Sequence, residues 1–326
     1  MNMARRTMWM FLLASAALTG GSGEASQLLY VTSADSLVYT YDVSLGSAAA
    51  IKASENALIG NFHNTDPTSV ALNLAGTIYV GNQESQAGTG NSTVSIYSSD
   101  GTYQTSWTTP GNVGGLAIDA SGNVFLSLYN VTTDSSRIEK RNASGTVLQT
   151  ITGASLTKAS GLARTAAGTL YAGNFLPAFA DNAVATFDAA GNELPSFGNG
   201  ALAGPVALDS ANNVYVGYVV EDVVRKYTSS GTLLADISTT GPRGIAIDGF
   251  GNMYVGNQAP TGSVDHTISK FDPSGNFLFS WDFAGTSTPN GMAFAPVAVP
   301  EPSTCASLLA GLACAGYSLF RRRKRA

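Results

Sequence analysis

Arg243, in Gly241-Pro242-Arg243-Gly244-Ile245-Ala246, is a lone cation placed among small residues of an acidic chain. A guanidinium there could clamp a carboxylate or sulfate, or it could simply pair with an aspartate such as Asp66. Thr68, Ser160 and Asn290 stand where Arg243 does, three residues before a repeated alanine, and offer uncharged donors and acceptors. Asn82, Asn174 and Asn257, each closing a Gly-Asn pair, together with Tyr129 and Tyr218, would suit sugar hydroxyls and the flat faces of sugar rings. Gly-Asn is also ordinary turn material.

Catalytic chemistry is harder to assemble. His63 and His266 are the only histidines and no Gly-x-Ser-x-Gly elbow is present, so a Ser-His-Asp triad has no anchor. Both histidines read as solvated loop residues. Asp119-Ala-Ser-Gly-Asn123, Asp188-Ala-Ala-Gly-Asn192, Asp248-Gly-Phe-Gly-Asn252 and Asp272-Pro-Ser-Gly-Asn276 invite a calcium reading, but they lack the further carboxylates of an EF-hand loop. They read as hairpin turns, with Asp opening the turn and Gly taking the positive φ. The sequence therefore assigns no catalytic residue and no metal ligand.

The elements that must position these residues repeat. Ala71, Ala117, Ala163, Ala207, Ala246 and Ala293 recur at separations of 46, 46, 44, 39 and 47, each preceded by an apolar residue. A period near 40 to 50 residues is the mark of propeller blades. Each copy holds a short first strand and a second strand with an aromatic marker (Tyr79, Phe125, Tyr171, Tyr215, Tyr254, and Tyr30 at the N-terminal side). A third strand and a fourth strand follow, the fourth weakest at Ala57 to Phe62. The repeated alanine is assigned to the innermost strand, where the blades converge. The chain opens on strands two, three and four and closes, at Asn290 to Ala295, on strand one. Pairing these completes a sixth blade and removes the open edges. The expected fold is all-β: a six-bladed β-propeller of four-stranded blades, its ring closed by the C-terminal strand joining the N-terminal blade. Thr68, Gly114, Ser160, Gly204, Arg243 and Asn290 then ring the channel mouth, with no carboxylate among them.

Pro242-Arg-Gly-Ile-Ala-Ile-Asp248, Gly251-Asn-Met-Tyr-Val-Gly256 and Ile268-Ser-Lys-Phe-Asp272 resemble the NHL repeat, and the body resembles NHL-type and gluconolactonase-like six-bladed propellers. Asn82, Asn174 and Asn257 stand where that repeat usually has Asp. The gluconolactonase-like resemblance implies a divalent cation near the axis held by Glu, Asn and Asp. Asn290 matches the Asn of such a set, and no first-strand Glu matches the rest.

The ends carry an address. Arg5 and Arg6, the apolar run Met8 to Leu18 and small residues through Ala25 have the layout of a secretory signal peptide over residues 1–25; a retained N-terminal anchor is the alternative. Cys305 to Phe320 is free of charge and as a helix would extend about 24 Å, near the length of a membrane span. The cluster Arg321 to Arg325 would hold its far end in the cytoplasm. Val299-Pro300-Glu301-Pro302-Ser303-Thr304, that apolar run and the basic cluster together resemble the PEP-CTERM sorting tail of Gram-negative bacteria, whose removal is attributed to the membrane peptidase exosortase. An uncut C-terminal anchor would look alike apart from Pro300, Glu301, Pro302 and Ser303. The expected organisation is a signal helix over 1–25, a propeller over 26–298, and a sorting tail over 299–326 with a transmembrane helix at 305–320.

Without its ends the body carries 10 basic and 20 acidic residues, a net charge of −10. Such a surface repels phosphate backbones and argues against nucleic acid as a partner. Both cysteines, Cys305 and Cys314, lie in the tail, so the body has no disulfide framework. These features lead to an exported, cell-surface or extracellular-matrix propeller, a non-catalytic binding or scaffold module for extracellular polysaccharide or an envelope protein, with exosortase as sorting partner and no cofactor. The alternative is a secreted gluconolactonase-like hydrolase with a divalent cation at the mouth.

Overall fold

The computed structural model describes residues 27–33, 35–59, 66–83, 92–175, 183–258, 266–283 and 288–295. These form six four-stranded antiparallel sheets. Blade 1 holds β1 (Leu28–Ser33), β2 (Leu37–Asp42) and β3 (Asn56–Ile59), with the short helix α1 (Ala48–Ala53) between the last two. Blade 2 is β4 (Pro67–Leu72), β5 (Ile78–Asn82), β6 (Ser92–Tyr97) and β7 (Tyr103–Thr109). Blade 3 is β8 (Asn112–Ile118), β9 (Val124–Asn130), β10 (Ser135–Arg141) and β11 (Val147–Ile151). Blade 4 is β12 (Ala159–Arg164), β13 (Leu170–Asn174), β14 (Val184–Phe187) and β15 (Glu193–Phe197). Blade 5 is β16 (Ala203–Leu208), β17 (Val214–Tyr218), β18 (Val223–Tyr227) and β19 (Leu233–Ser238). Blade 6 is β20 (Pro242–Ile247), β21 (Met253–Asn257), β22 (Thr267–Phe271) and β23 (Phe277–Asp282).

The last strand, β24 (Pro289–Phe294), completes blade 1 by pairing with β1, Tyr30 opposite Ala293 and Val31 opposite Met292. The ring is thus closed by the two ends of the body, as the unpaired first strand at its C-terminal end required. The inner strands β4, β8, β12, β16, β20 and β24 pack in succession around the axis. Radial order is visible in burial: β5, β13, β17 and β21 are buried at every position, whereas β11, β15 and β19 leave most residues exposed or half-exposed.

The hydrophobic core is divided among the six seams between blades. Ala71, Tyr79 and Trp107 of blade 2 meet Leu116, Leu126 and Leu128 of blade 3, and each other neighbouring pair has its own cluster. Burying a large apolar side chain contributes about 1.5–3 kcal/mol, so these seams hold the ring together. At the rim of five seams, the fourth strand of one blade covers a turn of the next, beginning with Leu58 of blade 1 at Gly101 of blade 2. Trp107 lies over Gly145, Ile151 over Gly191, Phe197 over Gly231 and Ile237 over Gly275; a methyl on Gly145 would lie 2.6 Å from the Trp107 ring.

The seam between blades 6 and 1 departs from this device. Between β2 and β3 stands α1, capped by Ser47, and its Ile51 is fully buried in the cluster that contains Trp281 of blade 6. A strand was expected from Ala57, and β3 is short; residues 60–65 lie outside the described set. The closest convergence lies not at the repeated alanines but two residues before them. Added methyls on Gly115, Gly161, Gly244 and Gly291 would each fall within 2.5 Å of the neighbouring inner strand's backbone.

The four Asp-to-Asn segments are hairpin turns. In each, the Asp Oδ1 accepts the backbone N–H of the Asn four residues on, and Oδ2 accepts its side-chain amide at 2.8 Å. Gly122, Gly191, Gly251 and Gly275 take φ of 79° to 87°. The Asn192 and Asn276 amides hold the Asp188 and Asp272 carboxyls below the ordinary carboxylate range. The signal helix, Pro300-Glu301-Pro302-Ser303 and the transmembrane helix lie outside the described residues; among those residues no helix is long and apolar enough to cross a membrane.

Candidate functional site

The six inner strands pack side by side around the axis, so equivalent residues of the six blades share one level of the channel wall. Thr68, Gly114, Ser160, Gly204, Arg243 and Asn290 form one layer, and Val70, Leu116, Leu162, Val206, Ile245 and Met292 form the next. All twelve line a single cavity of about 430 Å³, within the roughly 300–1,000 Å³ of small-ligand sites. It has a polar mouth and an apolar floor.

One layer further out stand Asp66, Asn112 and Lys158. Asp66, Lys158, Leu202 and Gly241 occupy equivalent places and share a left-handed backbone, φ 53°, 44°, 51° and 48°. Their carbonyls accept the amides of Gln83, Phe175, Val219 and Gln258, the residues that follow the second strands. This repeated latch sets Gln83, Phe175 and Val219 in the cavity wall.

Arg243 reaches from blade 6 toward blade 4. Its Nε donates to Gln258 Oε1 at 2.7 Å, and its guanidinium carbon lies 5.7 Å from the centre of the Phe175 ring. Blade 5 puts only Gly204 in this layer, which leaves the arginine room to cross. Burial pulls the Arg243 guanidinium below its usual pKa. The alternative partner, Asp66, does not pair with it: among the described residues neither Arg243 nor Asp66 has an ion pair. Burial pushes the Asp66 carboxyl above the ordinary range.

The other mouth residues divide by what already occupies their polar atoms. The Thr68 hydroxyl is spent on the seam, donating to Val113 O at 2.5 Å, and the Asn290 amide donates to Pro67 O at 3.4 Å. Ser160 accepts at its backbone carbonyl from the Ser127 hydroxyl. Tyr129 lines the cavity with its hydroxyl donated to Asp134 at 2.7 Å, which raises its pKa.

Asn82, Asn174 and Asn257 are not at the mouth. They are buried at the ends of second strands and act as latches. Asn82 donates to Thr93 and Ser95, and Asn257 to Thr267 and Ser269. Asn174 donates to Ser155 O and accepts the Thr157 amide. The partners form a Thr-x-Ser pattern in the third strands of blades 2 and 6, a signal available in the sequence. Tyr218 is fully buried against Tyr227 and Arg225, and His266 is buried ahead of β22, its carbonyl accepting the Phe283 amide. Neither is the accessible residue its sequence suggested; His63 lies outside the described residues.

The cation implied by the gluconolactonase-like resemblance finds no cage among the described residues. No three His, Cys, Asp or Glu side chains converge, and Asp66 is the sole carboxylate among the described cavity-lining residues. A hard cation wants several oxygen ligands.

Known folds resemble this one. A protein of unknown function from Bacteroides caccae matches with a TM-score of 0.62 and 14% identity, over 83% of this chain and 99% of that one. A streptogramin B lyase structure matches with a TM-score of 0.56 and 11% identity, over 83% and 85%. Catalytically inactive virginiamycin B lyase from Staphylococcus aureus with quinupristin matches with a TM-score of 0.52 and 10% identity, over 82% and 89%. At such identities the likeness is one of fold alone. No family model and no curated relative matches the sequence.

Proposed function

We propose that the protein is an exported, non-catalytic propeller that binds matrix saccharide in its axial cavity at the surface of a Gram-negative cell. The observation that carries this reading is the layered cavity, with its polar mouth over an apolar floor. Sugar rings need that combination: hydroxyls meet amides and charged groups, while the C–H face meets apolar side chains. The hydrolase reading finds no support in the cavity wall, whose single described carboxylate offers neither an acid–base pair nor a cation cage.

A glycan panel with full-length protein, alongside Gly204→Trp, tests the reading. A Cβ at Gly204 meets nothing closer than 3.7 Å, so the side chain starts without a backbone clash and its indole would compete for the space that Arg243 crosses. The expected result is saccharide binding by the parent protein and at least a tenfold loss in the variant with unchanged unfolding. Metal-dependent lactone turnover that chelation abolishes would overturn it.

Delivery is the second half of the proposal. Residues 1–25 direct export, residues 305–320 hold the chain transiently in the membrane, and the Pro300-Glu301-Pro302 element presents the tail to an exosortase-type peptidase. Replacing those three residues is expected to leave export and anchoring intact and to block tail removal, read as a larger mature mass in a host that carries the peptidase. An unchanged processed mass would refute the sorting assignment.

A further inference from the structure

The cavity is electrically lopsided. Lys158 and Arg243 belong to blades 4 and 6, whereas Asp66 belongs to blade 2. Phe175 stands between them in the wall: the Arg243 guanidinium lies over its ring, and the backbone carbonyl of Lys158 accepts its amide at 3.1 Å. Six of the eight other described cations are matched with carboxylates, while Arg164 and Lys270 lie over aromatic rings. Lys52, Arg137, Lys140, Arg141, Arg225 and Lys226 each lie within 3.5 Å of a carboxylate. In a body with twice as many acids as bases, the described residues place no carboxylate against the two cations at the cavity mouth.

Arg243 is also held ready. With Nε tied to Gln258 and one face against Phe175, the guanidinium has lost most of its rotamer freedom before any ligand arrives, and its Nη nitrogens have no partner among the described residues. Pre-paid ordering of this kind favours binding, and a planar fork matches a carboxylate or sulfate, with Lys158 in the same cavity wall.

We propose that the cavity selects an acidic sugar, whose carboxylate or sulfate lies toward Arg243 and Lys158 while its ring covers the apolar floor. This rests on the axial cavity being the saccharide site. Asp66, on the blade 2 side, is left to accept from hydroxyls and disfavours the opposite orientation of the anion.

Calorimetric titration of the full-length protein with trigalacturonate, a sulfated galactose oligosaccharide and neutral galactotriose tests the proposal. Acidic probes are expected to bind at least tenfold more tightly than the neutral one at low salt. Arg243→Gln and Lys158→Gln should each weaken acidic probes about 10- to 100-fold, the scale of a hydrogen bond to a charged group, and neutral binding less than about twofold. The two acidic probes identify the anion. Equal affinity for neutral and acidic probes, or equal losses for both in the variants, would overturn acidic selection while leaving the cavity as a saccharide site. Failure of every sugar to bind overturns the saccharide reading and this inference with it. Unchanged unfolding midpoints in both variants distinguish a lost contact from a lost fold.

Discussion

A chain ending at residue 287 is expected to lose cooperative unfolding and much of its solubility relative to one ending at 298. The residues removed include β24, the inner strand of blade 1, which pairs with β1 and packs between β20 and β4. Its loss uncovers the inner edge of β1 and opens the seams on both sides. Burial of Met292 contributes about 1.5–3 kcal/mol, and a ladder of strand hydrogen bonds adds about 0.5–1.5 kcal/mol for each. The total approaches the 5–15 kcal/mol that separates folded from unfolded domains. An exposed strand edge also templates pairing between chains. Urea unfolding and light scattering on the two truncations provide the measurement; coincident transitions and equal solubility would show that the ring does not depend on its closing strand.

Gly244→Val should be the most damaging single substitution in the channel wall, at about 3 kcal/mol or more. An added Cβ would lie 2.1 Å from the carbonyl oxygen of Asn290 and 2.7 Å from the Met292 side chain. The first contact is with backbone, so relief requires the blade 6 and blade 1 inner strands to separate. Gly204 occupies a comparable strand, but a Cβ there would make only ordinary van der Waals contacts, the nearest at 3.7 Å. With no clash to relieve, Gly204→Ala should therefore shift stability by less than about 1 kcal/mol. If the two variants unfold at the same denaturant concentration, close approach at Gly244 is not what holds the seam. Because Gly244 and β24 meet at one seam, their effects should not add.

The mouth layer was legible because it depends only on the register of the repeat. Once Arg243, Asn290, Thr68 and Ser160 share a register with the repeated alanines, the packing of the inner strands around the axis delivers them to one wall. Lys158 and Asp66 lie two residues earlier on the same count, and continuing that count finds them. Asn82, Asn174 and Asn257 were misplaced because each stands at the last residue of a strand, where an outward or inward path is decided by what the next loop offers. Inside the blade the NH2 groups of Asn82 and Asn257 donate to Thr93, Ser95, Thr267 and Ser269, and a buried NH2 without acceptors would be costly. Helix α1 was hidden for another reason: Ala48–Ala53 has too few residues to show a helical period, and its stability comes from Ile51 packing beside Trp281 of the last blade.

The sequence alone determined the number of blades, their four-strand order and the pairing of the two ends, because these follow from a repeat period, a two-residue alternation and an odd strand left over. It likewise determined the turns, since Asp, Gly and Asn act within five residues of one another. Tertiary structure decided everything that depends on contact between blades: which glycines admit a neighbouring backbone, which hydroxyls are consumed at seams, and that Arg243 crosses above Gly204 to Phe175 and leaves Asp66 alone. These are distances between residues far apart in the chain, and no local pattern encodes them; they exist only once the ring has closed and brought blades 4 and 6 to the same cavity.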